Sequence, residues 1–509
     1  MVKLIKKNHF ISLKTLTIIF LLIIAFLLRF YKISSIPPGL YIDEVSIGYN
    51  AYLISSKGVD EYNVKYPLWF KAFGEYKLPV YIYLTSASIS LFGKNDLAIR
   101  LPSVIFGSLS VIVLFLLLLR IGSYSLAFFS AILLAFSPWH LQFSRAAFEA
   151  NVALFFYLLG FYLFILFITK KTFVFLILST IFFVTTLYTY NSYRLVTPLT
   201  IIISFSFVFI KYPKQLKNLF FAGFLFCLLS FPFFQFALSE KGNSRFITTS
   251  TFSKYRNDPY FKKIVNYPVF FSYNYLSYFS FNYLFVNGDG MGRHRINGFG
   301  IIPYWQLPFL LIGFVYILKE KNSLLKYLVL ILLILSPLPG AFSNPSPHAL
   351  RSLSMVIPLI IIVVFGMIKI FENKKNLKYI FILIFPIIIF ETMLYFHYYY
   401  AHYQKNQSMD WGGEYKETIN KITIYSKKNK KIYISNSLMN NKIYIQFYNN
   451  DLSVNFTNMF SEKPKENQFP VLYITENIGN LPKKINGKLI DNVRLENPNK
   501  DVFAQFWEL

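Results

Sequence analysis

A series of long apolar runs, almost free of charge, limits this chain's fold more than any other feature. They cover roughly 13–31, 102–119, 124–139, 151–169, 172–190, 195–210, 218–237, 303–318, 324–340, 352–370 and 378–396. About 20 mostly apolar residues suffice to cross a bilayer. In lipid every backbone polar group must be satisfied within the segment, so such runs read as helices. That makes eleven candidate spans. The stretch 78–92 is shorter and more polar, and reads as a juxtamembrane or re-entrant helix. The first run has a basic flank. No small-residue cleavage pattern follows it, so it reads as a retained anchor and not a signal peptide.

Charge gives an orientation. Only 15% of the 509 residues are charged, against about 25% in a typical soluble domain. The net charge of +27 does not point to nucleic acid, because the basic residues fall mostly in short loops between apolar runs. With the N-terminus in the cytoplasm, the inner segments carry Lys3, Lys6, Lys7 and Lys14; Arg120; Lys170 and Lys171; Lys211, Lys214 and Lys217; Lys319, Lys321 and Lys326; and Lys374, Lys375 and Lys378. Short Lys- and Arg-rich loops belong in the cytoplasm. The outer face then holds the loops 32–101, 238–302 and 341–351 and the tail. The chain reads as an all-α multi-pass protein of the cytoplasmic membrane over 1–402. A small α/β extracytoplasmic domain follows over 403–509, with expected strands in KIYISNSL, KIYIQFY and PVLYITENI. The single cysteine, Cys227, excludes an internal disulfide.

Residues 1–402 contain thirteen acids, and six of them lie between Asp43 and Asp96. Two are adjacent, Asp43 and Glu44, in SIPPGLYIDEVSIGYNAY just after the first span. Val45, Tyr49 and Tyr52 follow at helical spacing. One reading makes Asp43 the cap of this helix, with Glu44 favouring its positive N-terminus. Another makes a carboxylate here a general base, tuned by partial desolvation. The two readings are compatible.

PPGLYIDEVSIGYNAY, GEYKLPVYIYL, LFGKNDLAIRLPSVIFG and SPWHLQFSRAAFEAN follow one another in that order. In series they resemble the N-terminal half of the GT-C glycosyltransferases of the protein O-mannosyltransferase and aminoarabinose-transferase type. The similarity runs over about 15–200 and resumes at NPSPHALRSLSMVIP. The resemblance implies a GT-C bundle and an inverting transfer of sugar from a polyprenyl-phosphate donor to an acceptor hydroxyl at the outer membrane face. It places the catalytic aspartate at Asp43, with Glu44 as the second member of the pair. The family's Lys-Pro-Pro segment reads Lys77-Leu78-Pro79 here, which keeps the lysine and alters the backbone beside it.

The chemistry asks for the same parts. A base must take the acceptor's proton, and cations must offset charge on the departing phosphate. Lys77, His348 and Arg351 are the candidates for the donor phosphate. Arg100, Arg145, Arg293, His294 and Arg295 are further possible substrate contacts. Each also has a structural reading. Arg100 starts a span and can snorkel; Arg145 and Glu149 are spaced as a helical pair. The loop NGDGMGRHRING reads either as a substrate cover or as a connector. No His, Asp or Glu cluster has convincing metal-site spacing; no cofactor is read from the residues, and a divalent cation stays open. The acceptor, whether protein, lipid or glycan, cannot be read from the residues. A flippase for a lipid-linked sugar is the rival reading. It requires charges buried in mid-span, and the runs have almost none.

Overall fold

The computed structural model describes residues 12–250, 260–321, 323–372, 377–426, 431–434, 442–448, 456–458, 471–476, 488–494 and 502–508. Lys3, Lys6, Lys7, Lys374 and Lys375, and most of the stretch after 426, lie outside them. Each of the eleven apolar runs contains a helix. Among the described residues, eight helices are long and apolar enough to cross a membrane. Four more, Pro79–Phe92, Tyr124–Phe136, Phe173–Leu187 and Tyr304–Lys319, are apolar but shorter. Three of these four fall in runs read as full spans. The outer surfaces of the long helices are apolar: Phe220 and Phe231 in Leu216–Leu238, and Leu383 and Phe390 in Leu377–Ala401, are all more than 60% exposed. A water-soluble protein does not display large side chains on this scale, and a bilayer accounts for them.

The elements that build the Asp43 side of the molecule come early. Helix α1 is Leu13–Phe30, α2 Ile42–Lys57, α3 Pro79–Phe92 and α4 Asp96–Ile121. A hairpin of β1 (Phe70–Ala72) and β2 (Glu75–Lys77) lies between α2 and α3, with Phe70 opposite Lys77. Its turn, Phe73-Gly74, has positive φ at both residues, 51° and 79°, the geometry that suits a two-residue hairpin. Leu78 is extended (φ −85°, ψ 151°) and Pro79 opens α3. A residue before proline prefers that conformation, and proline fits the first helical position. Leu78 packs against Leu187 and Phe233. Leucine at this position, where the family that the sequence resembles has proline, therefore leaves an ordinary strand-to-helix junction.

Helix α4 begins near Glu44, which its Arg100 meets, and carries Arg120 in its last turn. Helix α5 is Tyr124–Phe136, α6 Pro138–Phe143, and α7 Glu149–Lys170. Arg145 lies in the turn before α7, outside any helix. The expected helical pairing of Arg145 with Glu149 therefore does not form as such. The guanidinium turns instead to the end of α1. It donates to the carbonyls of Leu28, Arg29, Tyr31 and Ile36 at 2.7–2.9 Å and to the Tyr399 hydroxyl at 3.1 Å. A helix leaves its last carbonyls without intrahelical partners, and one buried side chain supplies them here. All five guanidinium N–H donors are used.

The C-terminal part forms a mixed sheet in the order β4-β3-β5-β7-β6, built from Lys431–Ile434 (β3), Phe456–Asn458 (β4), Val471–Glu476 (β5), Lys488–Arg494 (β6) and Val502–Glu508 (β7). KIYISNSL and PVLYITENI supply β3 and β5 as expected. KIYIQFY does not form a strand: Lys442–Tyr448 is a short helix. Ile443, Tyr444 and Phe447 fall on one helical face and are buried, in one cluster with Val45, Ile47 and Ile99. Packing on α2 overrides a local pattern that suits either structure. The approach is close. Gly39 has φ +69°, and a Cβ added there would lie 2.5 Å from Gly413 Cα. Tyr444 donates its hydroxyl to Leu40 O at 3.0 Å. Gly39→Ala should therefore cost about 1–2 kcal/mol for the left-handed backbone alone, with a steric cost added. It should lower the thermal midpoint of the solubilised protein and speed proteolysis after residue 402; wild-type behaviour in both would refute the contact.

Candidate active site

Glu44 lies in the first turn of α2, one residue past Asp43, and is completely buried. Arg100, also completely buried, meets it with two bonds of 3.0 Å, Nε to Oε1 and Nη2 to Oε2. The Ala147 amide donates to Oε1 at 2.8 Å and the Tyr41 amide to Oε2 at 3.3 Å. The Tyr41 contact makes Glu44, and not Asp43, the side chain that closes back on the helix start. The remaining Arg100 donors go to the carbonyls of Ile33, Pro37 and Gly39. A buried charge is tolerated when it is paired and fully hydrogen-bonded. These bonds fix the Ile33–Gly39 segment and the entry of α2 to the start of α4.

Asp43, one residue earlier, is left at the rim. Its side chain is 38% exposed, and Lys77 Nζ, only 3% exposed, donates to Oδ1 at 2.5 Å. The hairpin and Pro79 deliver Lys77, and the Arg100–Glu44 pair delivers Asp43. Glu61 stands in the same neighbourhood. Its carboxylate accepts from Asn50 Nδ2 at 3.0 Å. Burial raises its pKa, and that hydrogen bond and the charge of Lys77 oppose the rise. Sequence reading did not single out Glu61; its signal was only membership in the acid-rich first loop.

The other expected site residues sort into two groups. Arg100 and Arg145 spend their donors on carboxylate, backbone and tyrosine, as described, and hold the frame. Arg293 is near the rim: it lies 5.1 Å over the Tyr41 ring and donates to Asp410 O at 3.2 Å. Arg295 lies in the same loop, against Gly288. Arg351 donates to the Ser343 hydroxyl at 2.6 Å and lines a small polar cleft with Tyr190, Tyr193 and Ser354. His348 and His294 come together with ring centroids 5.0 Å apart. Asp289, not among the expected site residues, joins them. Its Oδ2 meets His294 Nδ1 at 2.5 Å and accepts from the Ala349 amide at 2.8 Å. Burial would raise the Asp289 carboxyl, but the facing His294 and the Ala349 amide outweigh it and bring it down to about 2. No short sequence spacing reveals this cluster, because His348 is distant in the chain.

The arrangement offers a water-accessible carboxylate next to a buried ammonium, at one end of a membrane bundle. A model of the dolichyl-phosphate-mannose-protein mannosyltransferase family matches residues 76–235. No curated protein matches the sequence. ArnT from Cupriavidus metallidurans in the apo state superposes with a TM-score of 0.60 at 9% identity, over 97% of this chain and 98% of that one. The same protein bound to undecaprenyl phosphate gives 0.52 at 10% identity, over 96% and 97%. The Archaeoglobus fulgidus oligosaccharyltransferase gives 0.50 at 13% identity, over 87% of this chain and 61% of its own. These likenesses are likenesses of fold.

If the Glu44–Arg100 pair carries the frame, Glu44→Gln and Arg100→Ala should each cost about 3–5 kcal/mol, because each leaves a buried charge unpaired. The double variant should cost clearly less than the sum. Thermal unfolding in detergent measures this cycle, and simple additivity would dismiss the coupling.

Proposed function

We propose that this chain, whose fold resembles that of ArnT and whose residues 76–235 match a mannosyltransferase family model, is an inverting glycosyltransferase of the GT-C superfamily. It moves a sugar from a polyprenyl-phosphate donor to an acceptor hydroxyl, and works at the extracytoplasmic face of the cytoplasmic membrane. The observation that carries the reading is the Asp43–Lys77 contact at the rim. Arg120 at the far end of α4 and Lys170 and Lys171 at the far end of α7 support that sidedness. ArnT, of similar fold, has been captured with undecaprenyl phosphate, which supports a lipid phosphate as the donor's carrier. The acceptor is a hydroxyl of a protein, a lipid or a glycan. The described residues after 402 pack on the same side, where Tyr444 donates to Leu40 O.

The chemistry follows from the two side chains. The acceptor O–H hydrogen-bonds to Asp43. Its oxygen attacks the anomeric carbon from the side opposite the phosphate. The new C–O bond forms as the bond to the phosphate oxygen breaks, and the phosphate departs with the electron pair. Asp43 keeps the acceptor's proton. Lys77 leaves Asp43 for the phosphate and offsets the charge that builds there. One displacement inverts the anomeric centre. Glu44 takes no part in contact with substrate, since it has no exposed surface. It is a positioning residue for Asp43. Arg293, over Tyr41, stands where it can contact the sugar or acceptor.

Purified protein in nanodiscs, given a panel of polyprenyl-phosphate sugars and acceptor hydroxyls, tests the reading. Asp43→Asn should lower transfer by about 10²–10⁴-fold in protein that still folds cooperatively, with a lower thermal midpoint because buried Lys77 loses its carboxylate partner. Lys77→Met should lower kcat by about 10²–10³-fold. Full transfer by Asp43→Asn would remove the base. Movement of intact donor across the bilayer with no glycosidic bond formed would favour a flippase.

A further inference from the structure

We propose that Asp289, His294 and His348 form a binding site for one divalent cation of the zinc class, which ties the 287–298 loop to the turn at 344–351. One ligand atom from each of the three lies within 4.8 Å of the others. Two imidazoles and one carboxylate suit zinc, whereas magnesium and calcium favour oxygen ligands throughout. The site is closed. The side chains of Asp289 and His294 are 1% and 3% exposed, and His348 is 8% exposed. The His294 ring packs edge-on against Phe143 at 5.1 Å, so its direction is fixed.

The surroundings supply the supporting contacts that metal ligands ordinarily have. The Met291 amide donates to Asp289 Oδ1 at 3.0 Å and the Ala349 amide to Oδ2 at 2.8 Å. The His348 amide donates to the Tyr278 hydroxyl at 2.9 Å. Gly288 and Gly290, with φ of +55° and +79°, turn the chain so that Asp289 points inward. The short Asp289–His294 bond holds two of the ligands together before an ion arrives. On binding, the cation replaces that bond and draws in His348 from the second segment. Three protein ligands leave a fourth position for water or an anion oxygen.

The consequence reaches the rim. Arg293 adjoins His294 in the chain and lies over Tyr41, whose amide contacts Glu44. A cation here orders the loop that carries Arg293, without touching Asp43 or Lys77. The inference shares no residue with the proposed base and cation, and stands whether or not the chain transfers sugar.

The full-length protein in detergent, stripped with a chelator and then dialysed against Zn²⁺, tests it. Wild type should retain about one equivalent by elemental analysis, and Co²⁺ should give the intense visible absorption of a four-coordinate centre. Zn²⁺ should raise the thermal midpoint as a specific ligand does, and Mg²⁺ should not. His348→Ala and His294→Ala should abolish retention and the cobalt signal. The wild-type measurements need no variant to fold. Wild type with no stoichiometric zinc and no cobalt band, or a double His variant that binds as wild type does, would overturn the proposal.

Discussion

The buried contact between Glu44 and Arg100 is the constraint on which the Asp43 side of the molecule depends. Both ions are completely removed from solvent, and the cost of that is large unless every donor and acceptor is used. Here each carboxylate oxygen accepts from Arg100 and from one backbone amide. The guanidinium spends its other donors on the carbonyls of the loop that leads into α2. Arg145 does the same for the end of α1. The two arginines supply donors to carbonyls along the irregular connection from α1 to α2. Buried irregular backbone needs such partners for its polar groups. Asp43 is then presented to Lys77 by a neighbour, Glu44, whose carboxylate is held by four hydrogen bonds.

The membrane helices were legible in the sequence because apolar length is a direct consequence of bilayer thickness. Eleven runs each became helical, although Phe173–Leu187 and Tyr124–Phe136 proved shorter than a full crossing. The acidic pair was legible as a feature, and so was the helix behind it. The division of labour within the pair was not. Nothing in Asp43-Glu44 says which carboxylate turns inward; that depends on Arg100, 56 positions away from Glu44. Arg145 misled for a similar reason. Its spacing to Glu149 suits a helix, but the helix starts too late, and the carbonyls of α1 compete for the side chain.

The metal-type cluster and the helix Lys442–Tyr448 escaped sequence reading through the same physics. Both are products of segments distant in sequence that meet only in the folded chain. His348 finds His294 and Asp289 across an intervening pair of apolar helices. KIYIQFY alternates well enough for a strand and has the right face for a helix; the surface of α2 decides between them. Local pattern carries least information where a tertiary partner is waiting.

The meeting of Gly39 with Gly413 has an evolutionary consequence. Gly39 must stay small for the surfaces to close: a Cβ there would lie 2.5 Å from Gly413 Cα, whereas one on Gly413 would meet only Ser408 Oγ at 3.2 Å and Pro38 at 3.8 Å. A chimera that exchanged everything after residue 402 would have to bring a backbone as close to Gly39 as Gly413 lies. Exchange of the tail by recombination is therefore constrained by the shape of the Pro-Pro-Gly turn.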